Sequence, residues 1–407
     1  MLEYLEACEK ILRHAHRMMP RRVPLADALG LNLAQEVKAR EPIPLFDSSS
    51  VDGYAVLAAD LKEAASDREV RLPVSAVIPA GSPGLRTIRH GETMKIMTGA
   101  PLPRKADAVV MKEHVREVNG VAIFTSPAKE GENLRRRGDE FAKGETVFVK
   151  GANVTPPVIA MSATLGFATL NVFAEPSVAL VITGSEVRSP SAPLKRGQIR
   201  DANSYLISAT LQHLGLSRPM ILRARDSKRE LKKAFARAIK KADVVISAGG
   251  VSVGDFDYVK EILSDLRVKT VFWRVAMKPG KPNYFGTRGG KLIFGLPGNP
   301  VSALVSFEVL VLPALHKMMG SMRMPAITVR AELAEDVKRS SGRVEFVRAF
   351  ATRLPDGRYS VHPVIGQGSH MVSGVARANC LIVLSQNNDR VKKGDLVEIR
   401  FLSWTGN

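Results

Sequence analysis

The spacing of apolar positions changes several times along the chain, and each change predicts a different kind of unit. Leu5, Cys8, Leu12 and Ala15 fall three to four residues apart within residues 2–18, the stripe of an amphipathic helix that Pro20 and Pro24 bring to an end. From Pro42 to about Ile123 the apolar runs become short: Tyr54 to Leu57, Leu72 to Val77, Ala108 to Met111 and Val121 to Phe124. Glycines and prolines separate them, which predicts a small β-rich unit over residues 45–135.

Between Ser177 and Gly320 apolar strands alternate with helical patterns, which predicts a parallel α/β sheet. The strands are Val178 to Thr183, Met220 to Ala224, Val244 to Ser247 and Leu292 to Phe294. A helix follows the second strand, opened by the capping box Ser227-Lys228-Arg229-Glu230, with Leu231, Phe235, Ala238 and Ile239 on one face and its lysines toward water. A long helix from Val301 to about Met319 closes the unit at Gly320, with Pro313 expected to kink it. After Pro325 come five more short strands, Ile327 to Ala331, Glu345 to Ala351, Tyr359 to Val364, Cys380 to Leu384 and Leu396 to Phe401. They predict a small barrel or sandwich.

At 407 residues the chain has room for three or four units of the usual size of about 100 to 150 residues. With 45% hydrophobic and 24% charged residues its composition is that of a globular protein, neither disordered nor fibrous. Lysine and arginine exceed aspartate and glutamate by 59 − 40 = 19, a surplus that attracts anions without choosing among nucleic acid, acidic surfaces and small oxyanions. The two cysteines, Cys8 and Cys380, stand far apart and encode neither a disulfide framework nor a thiolate metal cluster. Acids in the first six residues argue against a secretory leader, and no apolar run approaches the ~18 residues of a membrane span, so we expect a cytoplasmic, unanchored protein.

In an open parallel sheet, ligands sit beyond the carboxyl ends of the strands. Three turns there are polar and glycine-rich: Thr183 to Glu186, Ala248 to Asp257, and Gly295 to Pro300, which includes Pro297. Glycines let backbone N–H groups approach an anion, so three such turns on one sheet edge form a phosphate cradle. Glu186, Asp226, Asp255 and Asp257 bring carboxylates to the same edge, as Mg²⁺ coordination or proton transfer requires. Asp226 has a rival reading as the residue ahead of the Ser227 cap, and Asp255 as a helix cap, which leaves Asp257 the better metal candidate. Lys278-Pro279-Gly280-Lys281-Pro282 sets two cations between rigid residues, an arrangement suited to an oxyanion. No Walker loop, zinc spacing or nucleophile elbow is present.

Pro44 to Val56, Ile96 to Pro101, Asn133 to Gly138, Gly249 to Asp257, Lys278 to Pro282 and Gly295 to Ala303, in this order, resemble the signatures of the molybdopterin molybdenumtransferase family, the bacterial MoeA proteins and the gephyrin E domain. The resemblance implies an α/β plus β multidomain fold: a linking domain from 1–44 and 136–176, an inserted β-rich domain at 45–135, a three-layer α/β/α domain with a mostly parallel sheet at 177–320, and a C-terminal β-barrel at 321–407. It also implies a homodimer that converts adenylated molybdopterin and molybdate, with Mg²⁺, to molybdenum cofactor and AMP. A molybdopterin adenylyltransferase would act upstream and apo-molybdoenzymes downstream.

The resemblance places Asp52 and Thr98 opposite the α/β edge of the partner copy. Glu186, Asp226 and Asp257 take nucleotide, metal or proton-transfer roles, with Asp257 and Glu186 as the metal ligands. Gly249, Gly250, Ser252, Pro297 and Pro300 contact phosphate and pterin, and Lys278, Lys281, Arg348 and Ser369 contact molybdate, with Arg343 a rival for the place of Arg348. Ser185 stands where the family commonly has aspartate, and Asp139-Glu140 reverses the usual order of two acids. The alternatives are an adenylyltransferase, which lacks the flanking segments, and a non-catalytic anion-binding scaffold on the same fold; binding to nucleic acid is the less expected use of the charge.

Overall fold

The computed structural model describes residues 1–250, 258–322, 328–337, 342–386 and 391–405. They form two compact units. One comprises Glu36–Val149 and Ala160–Ala168; the other comprises Met1–Gln35, Lys150–Ile159 and the chain from Thr169 onward.

The first unit is built on a six-stranded sheet in the order Ala108–Met111, Gly53–Val56, Thr93–Ile96, Val70–Ile78, Val121–Phe124, Val115–Val118. Alternation along the strands divides its core between two faces. Ala55, Ile78 and Ile96 are buried on one, Tyr54, Val56 and Phe124 on the other. The strands Thr93–Ile96 and Val115–Val118 escape the sequence pattern because their outward positions are charged, with Lys95 and Glu117 paired at 2.8 Å.

In the second unit a six-stranded sheet runs Met220–Ala224, Val178–Thr183, Val244–Ala248, Lys291–Leu296, Tyr284–Arg288, Lys269–Trp273. The first four strands are parallel and Tyr284–Arg288 is antiparallel to both of its neighbours. Leu180, Ile182, Ile246 and Ala248 face a core that includes Ile207, Leu211 and Leu304, while Ala179, Val181 and Val245 face one that includes Leu231, Phe235 and Ile239. Both sheet faces are therefore covered, and the fully buried Phe294 and Phe235 each contribute on the order of 1.5–3 kcal/mol. The helix Lys228–Lys241 is capped by Ser227 and turns Lys232, Lys233, Lys240 and Lys241 to solvent. The long apolar helix Pro300–Met318, 89% buried, meets the length and hydropathy of a membrane span but is a core helix here. It passes Pro313 through a π-helical turn at Phe307–Val311, where the wider repeat accommodates the missing proline donor.

The N-terminal helix is shorter and differently oriented than its sequence suggests. It covers Tyr4–His14 and buries Ala7 and Ile11, while Leu5 is 71% exposed. The stripe that packs is Tyr4, Ala7, Cys8 and Ile11, followed by Ala15, so Cys8 and Ala15 of the expected stripe are packed and Leu5 is not. At the C-terminus, Val344–Arg353, Tyr359–Pro363, Thr328–Leu333, Leu396–Phe401 and Cys380–Leu384 pair in that order, and the last closes on the first to make a five-stranded barrel. Among the described residues each of these five strands pairs with a neighbour on both sides. The short strand Met277–Lys278 adds in parallel to Val344 and Glu345, joining barrel and α/β sheet.

Candidate functional site

Register sets the site. Thr183 pairs with Ala224, Ile182 with Ala248 and Ala248 with Leu296, so the four parallel strands end at one level. Beyond them opens a cleft of ≈820 Å³, within the usual range for small-molecule sites. Its wall includes Gly184, Glu186, Asp226, Gly249, Gly250, Pro297 and Pro300, each singled out from the sequence.

The turn after the first strand depends on Gly184, whose φ of +129° excludes most side chains; a Cβ there would lie 2.7 Å from Glu186 Oε1. Glu186 thus folds back over its own turn and lines the cleft. Asp226 stands just ahead of the Ser227 cap, as expected, and is also bonded to the turn after the first strand. Its Oδ2 accepts from the Ser185 N–H at 2.9 Å, and its own N–H donates to Ser185 Oγ at 3.2 Å. That reciprocal clamp explains the serine: an aspartate at position 185 would set a second carboxylate against Asp226. At the next strand end, Gly249 (φ +95°) lies over the first strand, and a Cβ on it would lie 2.6 Å from Thr183 Oγ1.

Asp201 belongs to the scaffold. Its side chain is fully buried, accepting from the Ser204 N–H (2.9 Å), Ser204 Oγ (2.6 Å) and Arg223 (3.0 Å), which fixes the start of the helix Asn203–His213. Asn203, from the same helix, donates to the Gly298 carbonyl at 2.7 Å. Asn299 donates to Ser369 Oγ at 3.0 Å, and the Val301 N–H to the Ser369 carbonyl at 3.2 Å, so Ser369 sits on the proline-rich turn. Asn203, Arg200, His370 and Val372 also line the cleft and were missed in the sequence. Arg200 and Asn203 occur outside the glycine-rich turns, so nothing local signalled them, whereas His370 directly follows Gly366-Gln367-Gly368-Ser369, a signal that could have found it.

The lysine segment reaches the cleft through Pro282. Lys278 Nζ lies 2.8 Å from Glu345 Oε1, whereas Lys281 is exposed. Arg348 is 2% exposed and donates to the carbonyls of Gly366 (2.7 Å) and Gly368 (3.4 Å). It is therefore not an exposed strand arginine: it shapes the 366–368 loop next to Ser369, and burial lowers the pKa of its guanidinium. Ser252, Asp255 and Asp257 lie outside the described residues, and among the described residues no group of three or more acids, histidines or cysteines surrounds a common point.

In the other unit, Asp52 Oδ1 accepts from both the N–H and the Oγ1 of Thr98 at 2.8 Å, and Oδ2 from Lys112 Nζ at 3.2 Å. The Thr98 bonds, then Lys112, hold its carboxyl down to about 2. Asp139 and Glu140 line a second cleft of ≈680 Å³ with Ser48, Gly99 and Arg135. Nearby, the Arg137 N–H (2.8 Å) and the Arg136 side chain (3.0 Å) donate to Asp47 and hold its carboxyl below the usual range.

Over 394 residues, 97% of this chain and 94% of the other, the sequence is 35% identical to a molybdopterin molybdenumtransferase of Staphylococcus aureus. The chain belongs to this family, the MoeA proteins. A Haemophilus influenzae protein of the same name is 35% identical over 379 residues, 92% of each chain. The profiles of the MoeA N-terminal region (domain I and II), a probable molybdopterin binding domain, and the MoeA C-terminal region (domain IV) match residues 2–166, 179–317 and 330–402. The crystal structure of a molybdopterin biosynthesis MoeA protein from Pyrococcus horikoshii superposes with a TM-score of 0.85 at 30% identity, covering 98% of this chain and 99% of that one. The cleft falls within the segment matched as a molybdopterin binding domain, with His370 and Val372 contributed by the MoeA C-terminal region.

Proposed function

We propose that this MoeA protein is a molybdopterin molybdenumtransferase of molybdenum cofactor biosynthesis. It takes adenylated molybdopterin and molybdate to molybdenum cofactor and AMP, the dithiolene sulfurs receiving the metal as the pyrophosphate linkage is cleaved. The observation that carries this reading is the cleft at the aligned strand ends, where glycine turns and two carboxylates meet in a chain that matches relatives of that name over nearly its whole length. Gly184, Gly249 and Gly250 bring backbone N–H groups toward the phosphates, and the clamp between Ser185 and Asp226 fixes the turn that carries Glu186. Lys278 and Lys281 hold the tetrahedral dianion. The residues also fit Mg²⁺, which is bound through one or two carboxylates together with substrate phosphates: Glu186 and Asp226 both line the cleft. When bound, the ion would neutralise charge on the phosphate linkage. Positioning and fixed charge then account for catalysis without a covalent nucleophile.

In this reading the enzyme is a cytoplasmic homodimer in which Asp52 and Thr98 serve the site of the partner copy. It is supplied by an adenylyltransferase and delivers to apo-molybdoenzymes. The N-terminal and C-terminal MoeA regions on either side of the molybdopterin binding domain favour this activity over an adenylyltransferase.

The test is AMP release from adenylated molybdopterin by the purified protein, with and without Mg²⁺ and molybdate, coupled to reconstitution of an apo-molybdoenzyme. Release that needs Mg²⁺ and is stimulated by molybdate, with reconstitution, is expected. Tight pterin binding with no turnover would replace the transferase by a scaffold.

A further inference from the structure

The two lysines of the Lys278-Pro279-Gly280-Lys281-Pro282 segment are held differently. Around Lys278 the backbone is fixed: Met277 and Lys278 pair with Val344 and Glu345, the Val344 N–H donates to the Ala276 carbonyl at 3.1 Å, and Met277 is fully buried. The following turn is tied down by Asn283, whose amide donates to the Gly280 carbonyl and, at 3.0 Å, to Ser306 Oγ. A fixed backbone does not fix a lysine, because four methylenes separate the ammonium from it and their rotamer freedom is lost when an anion binds. Glu345 removes that freedom beforehand. It is the cross-strand partner of Lys278, and its Oε1 lies 2.8 Å from Nζ.

Glu345 is itself an unusual place for a carboxylate. The residue is 7% exposed, and among the described residues its Oε2 has no hydrogen-bond partner. Burying a charge with one oxygen unsatisfied is costly, and Glu345 already sits in the five-stranded barrel, where an apolar side chain would pack at no such cost. An ammonium carries three donors, so a donor given to Glu345 is compatible with binding an oxyanion. Lys281, by contrast, is exposed and forms no ion pair among the described residues.

We infer that Glu345 is a positioning residue for the oxyanion site: it holds the Lys278 ammonium in one place, so that the anion meets a preorganised cation, and it lets the C-terminal barrel set the geometry of a charge on the segment that reaches the cleft through Pro282. The inference rests on the reading that Lys278 contacts molybdate.

The experiment measures molybdate half-saturation of AMP release, half-saturation for adenylated molybdopterin, and thermal stability, in a cycle of Lys278→Ala, Glu345→Ala and the double variant, with Glu345→Gln alongside. Losing one charge-assisted, orienting hydrogen bond raises the molybdate half-saturation of Glu345→Ala about tenfold and leaves that for the pterin within about twofold. Glu345→Gln keeps the shape and one accepting oxygen, so it folds and its molybdate half-saturation falls between Glu345→Ala and the parent. On the Lys278→Ala background Glu345→Ala has no further effect on molybdate, since the group it positions is gone. A structural role alone would change both half-saturations together with the melting temperature and would add to Lys278→Ala; that result overturns the inference. So does a parental molybdate response in Glu345→Ala and Glu345→Gln while Lys278→Ala is impaired. An unaltered molybdate response in Lys278→Ala itself overturns the assignment of that lysine, and the inference with it.

Discussion

Gly249 offers a quantitative check on how the cleft is built. Replacing it by alanine meets two separate obstacles. The backbone is at φ +95°, where an L side chain costs on the order of 1–3 kcal/mol wherever it is placed. The new Cβ would also lie 2.6 Å from Thr183 Oγ1 and 3.3 Å from the Thr183 carbonyl oxygen. Thr183 cannot easily yield, being β-branched, 5% exposed and paired with Ala224 at the end of its strand, so relieving the contact adds about 1–3 kcal/mol. The costs separate in a cycle with Thr183→Ala, which removes the closest contact, Oγ1, and leaves the dihedral cost and the looser contact with the carbonyl oxygen. Urea unfolding, followed by a probe in the α/β unit, should give Gly249→Ala a loss of about 2–6 kcal/mol, and a loss of only about 1–3 kcal/mol when it is introduced into Thr183→Ala. Affinity for adenylated molybdopterin should fall in both, because the turn moves. Equal losses on the two backgrounds would refute the packing part of the argument, and no loss on either would refute the strained turn altogether.

Mixing tests the shared site of the proposed dimer. Asp52→Asn and Asp226→Asn, each nearly inactive alone, should recover about a quarter of parental AMP release after subunit exchange, since half of the dimers are then mixed and each carries one intact site. No recovery after verified exchange would place both residues in the site of one subunit. The cysteines give a pH test: burial pushes the Cys380 thiol up to about 12 and raises that of Cys8, so both should resist alkylation near pH 8 in the folded protein and react once it is unfolded. A folded-state pKa above the unfolded one means that this stability is complete below the free-thiol pKa of about 8.5 and is lost as pH rises toward the folded value, by at most ~1.4 kcal/mol per pH unit per thiol. Unfolding measured at pH 8 and 10.5 should show a smaller difference in Cys380→Ala than in the parent; an identical difference would refute it.

Local pattern determined much of this protein. Val178–Thr183, buried on both faces, carries an uninterrupted apolar run and was legible to the residue; so were the mixed edge strand Met220–Ala224 and, in the barrel, the apolar Cys380–Leu384 and the alternating Leu396–Phe401. Glycine and proline mark the turns at the strand ends by backbone restriction alone, and Glu186, Asp226 and Gly249 could be named from sequence because they lie in or beside those turns. Tertiary structure decided the rest. Tyr284–Arg288 and Lys269–Trp273 join the sheet through pairing that short mixed runs do not encode, and the N-terminal helix turns Leu5 outward while Tyr4, Ala7 and Ile11 pack into the core. The partners of the charged groups were decided in the same way. Asp201 goes to Arg223, Asp226 to Ser185 41 residues away, and Lys278 to Glu345 in the barrel, contacts that exist only once the parallel strands end level and the barrel strand Val344–Arg353 pairs with Met277–Lys278. Periodicity reports which face of an element is buried; what a charge meets there depends on segments remote in the chain, and only folding brings them together.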